Sequence, residues 1–204
     1  MKIKKFLSVF LLLLNLTCLA AIKDSTDTSN KNYLLRRLTT EPAIGLNPMP
    51  TSDLVFSNLI QWNIKKRLCI VSHTSYAYNN VGQRDDNYIT TDYNYTLSQK
   101  FGVGTSLFTK HSSHTFSFMA GIRYDAFKET LENPDFEEVS ASLSSVSPDV
   151  GLMYNLKLGK KKYFFSYRMY IPLYPYPFKS TDINAIDANE AGISMEFGLG
   201  IRLK

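Results

Sequence analysis

The chain has 204 residues, a length typical of one folded domain. Hydrophobic residues make up 44% and charged residues 20%, which excludes a wholly disordered chain. The 13 tyrosines, 13 phenylalanines and one tryptophan favour half-buried β-strands over a helix bundle, because aromatic side chains suit a pleated surface.

The first 20 residues have the three parts of an export signal. Three lysines precede an apolar run from Phe6 to Leu14, and Cys18-Leu19-Ala20 fits a small-x-small cleavage site. The apolar run is shorter than the ~20 residues of a membrane-spanning helix. The sequence therefore predicts a signal peptide over residues 1–20, cleaved after Ala20.

The positive charge of the chain is concentrated in this signal. The full sequence carries +5, but residues 21–204 hold 20 basic and 18 acidic residues, a net charge of +2. A nearly balanced charge does not favour a nucleic-acid partner, and none is predicted.

The cysteines exclude several classes of site. Cys69 is the single cysteine left after cleavage, so no intrachain disulfide, zinc site or iron–sulfur cluster is expected, and no cofactor is predicted. Lipidation of Cys18 is an alternative use of the signal, although Asn15-Leu16-Thr17 departs from a lipobox.

Residues 21–52 differ in composition from the rest. A polar tract is followed by Pro42, Pro48 and Pro50, which predicts an extended periplasmic lead-in, with a short helix or strand near residues 32–39 as the alternative. From Asp53 onward apolar residues recur at every second position, which predicts a β-barrel domain over residues 53–204.

The period of two divides this domain into about eight strands of ~10 residues, the length of a tilted membrane-spanning strand. No stretch has the apolar spacing of a helix, and no internal repeat is evident. We expect an all-β fold, an antiparallel transmembrane β-barrel with a small polar-filled lumen. The predicted strands cover residues 56–64, 68–78, 89–97, 101–107, 116–124, 150–158, 163–171 and 193–203.

The polar face of these strands combines glycines with isolated charges of both signs. Glycine weakens an ordinary exposed strand, whereas a narrow lumen needs small residues where long side chains cross it. The apolar face would then meet lipid. A soluble periplasmic lipocalin-like binding protein, with its apolar face inward, is the alternative. The predicted lumen network consists of Arg123, Asp125, Lys157, Arg168, Glu196 and Arg202.

Residues 53–204 resemble the small outer-membrane β-barrel proteins of Gram-negative bacteria. The likeness rests on the export signal, the strand pattern and the strand Glu190 to Lys204, which looks like the signal read by the barrel-assembly machinery but ends in lysine rather than an aromatic residue. The Leu46-Asn47-Pro48 segment and the tyrosine-rich hairpins are similar to barrels of the Bacteroidota with no assigned function. The resemblance implies an outer-membrane location, with membrane lipid and the assembly machinery as partners.

The predicted strand order conflicts with the usual loop lengths of such barrels, which have short periplasmic turns and long external loops. Counting back from the last strand places residues 172–189 and 128–147 outside and the turn at 159–161 inside. The same count puts the long connection 79–87 in the periplasm and the tight turn 65–67 outside. We therefore expect one misassigned hairpin, or a barrel with unusual loops.

The best catalytic candidate is His111-Ser112-Ser113-His114, since an imidazole beside a hydroxyl can activate it for acyl transfer. The tetrapeptide faintly resembles the His/Ser pair of lipid A deacylase barrels, but the Asn that follows their Ser has no counterpart. The simpler interpretation is a polar hairpin turn. His73 lies in mid-strand, where packing in the lumen is expected.

Two charged segments are candidates for ion contacts. Asp85-Asp86 and the acidic run from Glu129 to Glu138 offer Ca²⁺ ligands, but their spacing matches no EF-hand, and solvated external loops are the simpler interpretation. Lys160-Lys161-Lys162 is interpreted as a hairpin tip, with phosphate contact at the membrane surface as the alternative.

The predicted function is a non-enzymatic structural or surface-interaction role, with the loops 128–147 and 172–189 facing a partner. The alternatives are a narrow pore or small hydrophobic-ligand carrier, a lipid-modifying esterase that uses the His111-Ser112 region, and the soluble binding protein. The sequence identifies no ligand, partner or oligomeric state.

Overall fold

The computed structural model describes residues 38–47, 53–64, 67–78, 89–109, 111–131, 139–173 and 193–203. Among these residues no helix is long and apolar enough to cross a membrane. The predicted signal peptide and residues 21–37 lie outside this part of the chain. The described residues form β1 (Leu38–Asn47), β2 (Asp53–Asn63), β3 (Leu68–Tyr78), β4 (Ile89–Phe108), β5 (Ser112–Leu131), β6 (Val139–Leu158), β7 (Tyr163–Pro172) and β8 (Ser194–Arg202).

The eight strands form one closed barrel in chain order. Each strand is antiparallel to its neighbours in the sequence, and β1 pairs with β8 to close the sheet. Closure leaves the sheet without an edge over the height that all eight strands share. The predicted all-β antiparallel barrel of about eight strands is confirmed.

The barrel begins at Leu38 and not at Asp53, so the predicted boundary between lead-in and barrel was wrong. The residues of β1 were assigned to the lead-in because Pro42 suggested an irregular chain. Proline lacks the N–H of a ladder hydrogen bond. The strand tolerates it because the recorded pairing with β8 stops at Thr40 and resumes at Ala43.

The separate strands predicted at 89–97 and 101–107 are one strand, β4, of 20 residues. The boundary between the two predicted strands fell at residues 98–100, where the sequence Ser-Gln-Lys is polar. In the structure Lys100 is buried in the lumen, so the alternation between inner and outer face continues through it. The prediction omitted β1 and divided β4 into two strands, so the number of strands stayed at eight. The direction that it assigned to β2 and β3 was therefore reversed.

With the corrected strands, the two ends of the barrel differ in loop length. The end at which β1 begins and β8 ends has connections of three or four residues, and we name it the turn end. The opposite end, named the loop end, has connections of five to 21 residues, including 79–88. The conflict in loop length therefore came from the misassigned strands, and the barrel follows the usual pattern.

The apolar face of the sheet points outward. Phe118, Leu152 and Leu199 expose 53%, 47% and 71% of their surface, whereas the lumen holds mainly buried polar and charged side chains. This arrangement contradicts the inward apolar face required by the lipocalin-like alternative. At Gly200 a Cβ atom would lie 2.2 Å from Cζ of Phe164, which is a steric clash. The glycine therefore leaves the space that this ring occupies in the lumen.

Strands β4, β5 and β6 are about twice as long as the others. Each has 20 residues, against 9 to 11 in the remaining strands. The surplus lies at the loop end, since β4 pairs with β3 only from Tyr95 onward and β6 pairs with β7 only from Gly151 onward. A three-stranded sheet, which we name the extension, therefore projects beyond the barrel by on the order of 20 Å.

The closing role of β1 is tested by truncation. A chain of residues 37–204 should refold in detergent and migrate differently before and after boiling, because all eight strands are present. A chain of residues 53–204 should lose this shift, since β2 and β8 would become open edges. An equal shift from both chains would contradict the boundary at Leu38.

Candidate functional site

The lumen near the turn end is crossed by a buried ion pair between β6 and β1. Lys157 Nζ lies 2.7 Å from Glu41 Oε1, and Asn155 Nδ2 donates to Glu41 Oε2 at 2.9 Å. Lys157 also donates to the Thr39 hydroxyl at 2.8 Å. Both charges are therefore compensated by a counter-charge and by neutral partners, as burial requires.

A second ion pair occupies the middle of the lumen. Arg168 Nε lies 3.1 Å from Glu196 Oε2, which also accepts from the Ser57 hydroxyl at 2.5 Å. His73 Nε2 lies 3.3 Å from Glu196 Oε1, and Arg168 Nη2 donates to the backbone carbonyl of Glu41 at 2.9 Å. Arg168 thereby connects the second pair to the first.

Two further pairs lie closer to the loop end. Lys100 Nζ is 2.6 Å from Asp149 Oδ2, and the Tyr170 hydroxyl donates to the other oxygen of Asp149. Arg123 Nε is 2.6 Å from Asp125 Oδ1, on the same inner face of β5. The Arg123 side chain is 21% exposed, so this pair marks where the lumen opens towards solvent.

Arg202 closes the lumen at the turn end. Its guanidinium donates to the backbone carbonyls of Lys161 and Gly159, at 2.5 and 2.9 Å, and stacks over the Phe164 ring with Cζ 4.2 Å from the centroid. Gly159 has a φ of +117°, which favours glycine. Arg202 therefore ties β8 to the β6–β7 turn, and Lys160–Lys162 form the hairpin tip.

The structure places all six predicted network residues on the inner side of the barrel: Arg123, Asp125, Lys157, Arg168, Glu196 and Arg202. The sequence grouped them but assigned no pairs. Lys157 pairs with Glu41, in the segment assigned to the lead-in. The prediction also left out both members of the Lys100–Asp149 pair, although Asp149 comes just before a predicted strand. Period-two spacing through Thr39, Glu41 and Ala43 was the signal that could have found Glu41.

No group of three or more His, Cys, Asp or Glu side chains suited to a metal ion occurs in the described strands and turns. The calcium candidates Asp85-Asp86 lie outside that part of the chain, as does most of the acidic run from Glu129 to Glu138. Cys69 is buried in the lumen and accepts a hydrogen bond from the Ser106 hydroxyl at 3.7 Å.

Tyrosines cluster on the outer surface towards the loop end. The ring of Tyr95 lies 6.0 Å from those of Tyr76 and Tyr93 and 6.3 Å from that of Tyr124. At the other end of β5, ten residues away, His114 lies beside the phenol of Tyr154. Ten residues of a tilted strand rise by about 25 Å, the usual height of the apolar band of a membrane barrel.

The His111–His114 segment forms the turn-end hairpin between β4 and β5. Ser112 Oγ lies 3.1 Å from Nε2 of His114, not of His111, and Nδ1 of His114 lies 2.9 Å from the Tyr154 hydroxyl. The structure thus contains a hydroxyl–imidazole contact, but the residue that orients the imidazole is a phenol and not a carboxylate.

Two backbone N–H groups of the same hairpin are already engaged and are not free to form an oxyanion hole. Those of His111 and Ser112 both donate to Thr109 Oγ1, at 3.4 and 3.0 Å. Ser112 Oγ is itself 2.7 Å from Thr109 Oγ1. Since acyl transfer depends on unoccupied donors aimed at the developing oxyanion, this geometry favours the polar-turn interpretation.

Neither a known protein family nor a curated protein matches the sequence. Several solved structures are similar in fold, among them the three that follow. The N-terminal β-barrel domain of Pseudomonas aeruginosa OprF is 13% identical, with 81% of this chain and 97% of that one covered and a TM-score of 0.42. Neisserial surface protein A is 10% identical, with 81% and 94% covered and a TM-score of 0.48. Ail, the attachment invasion locus protein of Yersinia pestis, is 9% identical, with 80% and 93% covered and a TM-score of 0.47.

The Glu41–Lys157 pair gives a testable prediction. Glu41→Gln should lower the free energy of unfolding by about 3 kcal/mol, because it leaves the Lys157 ammonium buried without a counter-charge. The measurement is urea unfolding in lipid vesicles, followed by tryptophan fluorescence.

The matched control is Lys160→Gln in the exposed turn, where a change below about 0.5 kcal/mol is expected. The double variant Glu41→Gln/Lys157→Met should lose less stability than the two single changes added together. If Glu41→Gln behaves like the control, the pair contributes nothing to stability.

Proposed function

We propose that the protein is an outer-membrane β-barrel with a structural or surface-interaction role and no enzymatic activity. The observation that carries the membrane location is the outward apolar surface, which would be costly in water over its whole circumference. A closed barrel satisfies its backbone hydrogen bonds internally, as hydrocarbon requires. The aromatic residues at both heights match the interfacial girdles of such barrels.

The orientation follows from the two ends. Short turns and both termini belong on the periplasmic side of such barrels, and long loops belong outside. The predicted signal peptide supports export, and the last strand supports handling by the barrel-assembly machinery. The likeness to barrels of the Bacteroidota stays a prediction from the sequence.

The interaction role rests on the extension. A barrel that only spanned the membrane would need no strand of 20 residues, since 9–11 are enough. Three consecutive strands continue past the apolar belt, and this rigid sheet would stand above the lipid on the cell surface. The loop 128–147, predicted as a partner-facing loop, largely belongs to these strands, whereas 174–189 lies outside the described residues.

Trp62, the single tryptophan, tests the lipid-facing surface. It lies on the outer face of β2 near the turn end and is 52% exposed. We expect strong quenching of its fluorescence when the protein is folded into vesicles of brominated phosphatidylcholine, because the bromines contact lipid-facing side chains.

The matched control moves the tryptophan into the extension. In Trp62→Phe/Ser144→Trp the indole would stand in water above the bilayer and should escape the bromines. Equal fluorescence of the native protein in brominated and ordinary vesicles would contradict the membrane proposal.

The narrow-pore alternative fits the lumen less well. Four ion pairs of the described strands occupy the lumen. Two join strands that are not neighbours, β1 to β6 and β4 to β6, one joins β7 to β8, and one lies within β5. Small barrels filled in this way have no open channel, and charged walls do not suit a hydrophobic ligand. Planar bilayers with the refolded protein should show no unit conductance, and reproducible current steps would restore the pore hypothesis.

A further inference from the structure

The long edge of β6 within the extension lacks a neighbouring strand among the described residues. Strand β6 pairs with β5 over its full length, from Val139 to Leu158, but its recorded pairing with β7 begins only at Gly151. Leu173 adds one backbone hydrogen bond, to Val150. Among the described residues, Ser140–Val146 is therefore a sheet edge, which we name the β6 edge.

The direction of its backbone groups follows from that last hydrogen bond. The carbonyl of Val150 accepts from Leu173 N–H on the β7 side. Because backbone groups point to alternate sides along a strand, every even-numbered residue of β6 directs its N–H and C=O towards that side. In the β6 edge these residues are Ser140, Ser142, Ser144 and Val146, and Pro148 follows just beyond it. The side chains of all five are exposed.

The opposite edge of the extension, on β4, is protected in ways that the β6 edge is not. It is short, since β3 already covers β4 from Tyr95 onward. Its register shifts between Thr91 and Tyr93, which leaves the charged residue Asp92 in a bulge. Bulges and charges are the usual devices that prevent edge pairing. The β6 edge has an unbroken register with β5 and no charge on Ser140–Val146.

The sequence that follows β7 disfavours continued in-register pairing with this edge. If β7 continued along β6 in its present register, residues 175 and 177 would have to donate to the carbonyls of residues 148 and 146. Both positions are proline, which has no N–H, and Pro148 lacks the reciprocal donor. The β6 edge thus carries no device that prevents strand pairing, and the prolines at 175 and 177 disfavour its in-register pairing with the next segment of the same chain.

We propose that the β6 edge, Ser140 to Val146, binds an extended peptide segment of another protein as an added β-strand. The proposal deepens the surface-interaction role and rests on it, since the edge must face the cell exterior to meet such a segment. Alternating main-chain donors and acceptors match those of any extended peptide, which is the basis of strand addition.

The chemistry of the edge also describes the partner. Its outward side chains are three serines and a valine, small and uncharged, so they repel neither sign of charge and leave room for large neighbours. A partner segment rich in β-branched residues, without proline at alternate positions, fits best. A second copy in the same membrane would present an identical edge parallel to β6, and parallel pairing is less stable per residue.

A synthetic nonapeptide of alternating threonine and valine, with a fluorescent label, serves as the probe. Fluorescence anisotropy with the full mature chain folded in detergent micelles should show saturable binding. Ser142→Pro/Ser144→Pro should weaken the affinity roughly thirtyfold, because two edge donors are lost. These N–H groups point away from β5, so the barrel and its gel shift on boiling should be unaffected.

The matched control is Ser142→Ala/Ser144→Ala, which removes the hydroxyls, keeps the backbone donors and should bind the probe like the native chain. Absence of binding to the native chain, or equal binding to the proline variant, would overturn the proposal. Slow hydrogen exchange at Ser142 and Ser144 in the monomer without the peptide would show that the chain covers its own edge and would also overturn it.

The oligomeric state tests the other candidate occupant of the β6 edge, which is a second copy of the chain. A dimer that dissociates in the proline variant would assign the edge to a second copy and overturn the proposal in its stated form. All these measurements are made in micelles and do not depend on the membrane location. Failure of the peptide to bind is therefore distinguishable from failure of the outer-membrane proposal, which the quenching of Trp62 tests separately.

Discussion

The pairing of β1 with β8 is the contact on which the rest of the structure depends. A sheet with an apolar outer surface cannot leave backbone N–H and C=O groups unpaired where water is absent, and closure is the way a sheet avoids this. Closure in turn creates an interior too narrow for bulk solvent, so every side chain on the inner face must find its partner inside the barrel. The apolar belt and the polar lumen are two consequences of that single contact.

The lumen meets part of this demand with ion pairs between strands, while some buried polar atoms, such as Asn155 Oδ1 and Arg168 Nη1, have no hydrogen-bond partner. Glu41 on β1 pairs with Lys157 on β6, and Glu196 on β8 contacts Arg168 on β7 and His73 on β3. Buried pairs of this kind contribute little net stability compared with apolar packing, but breaking one of them is costly. Their effect is to favour one register among the strands, because a slip of one residue would turn each charge towards the outer surface.

Closure ends where the extension begins. Above the shared height of the barrel, β4, β5 and β6 continue without β3 or β7 beside them, so within the described part of the chain the sheet has two edges again. A bulge and an aspartate interrupt the β4 edge, whereas the β6 edge is long, regular and neutral. Natural sheets rarely leave such an edge without a purpose, since it invites pairing with other chains. The contrast between the two edges is the reason for placing the interaction surface on β6.

The alternation of apolar and polar residues was enough to identify the all-β class, the outward apolar face and the inner position of residues such as Arg168 and Glu196. Successive side chains of a strand point to opposite faces, so the sequence itself shows which residues share a face. The alternation was not enough to find β1, where Pro42 obscures the pattern, or to join β4 across Gln99 and Lys100. Which charges pair, which strands outgrow the barrel and which edge stays open were decided only by the closed tertiary structure. These properties depend on contacts between residues far apart in the chain, and a local period of two carries no information about them.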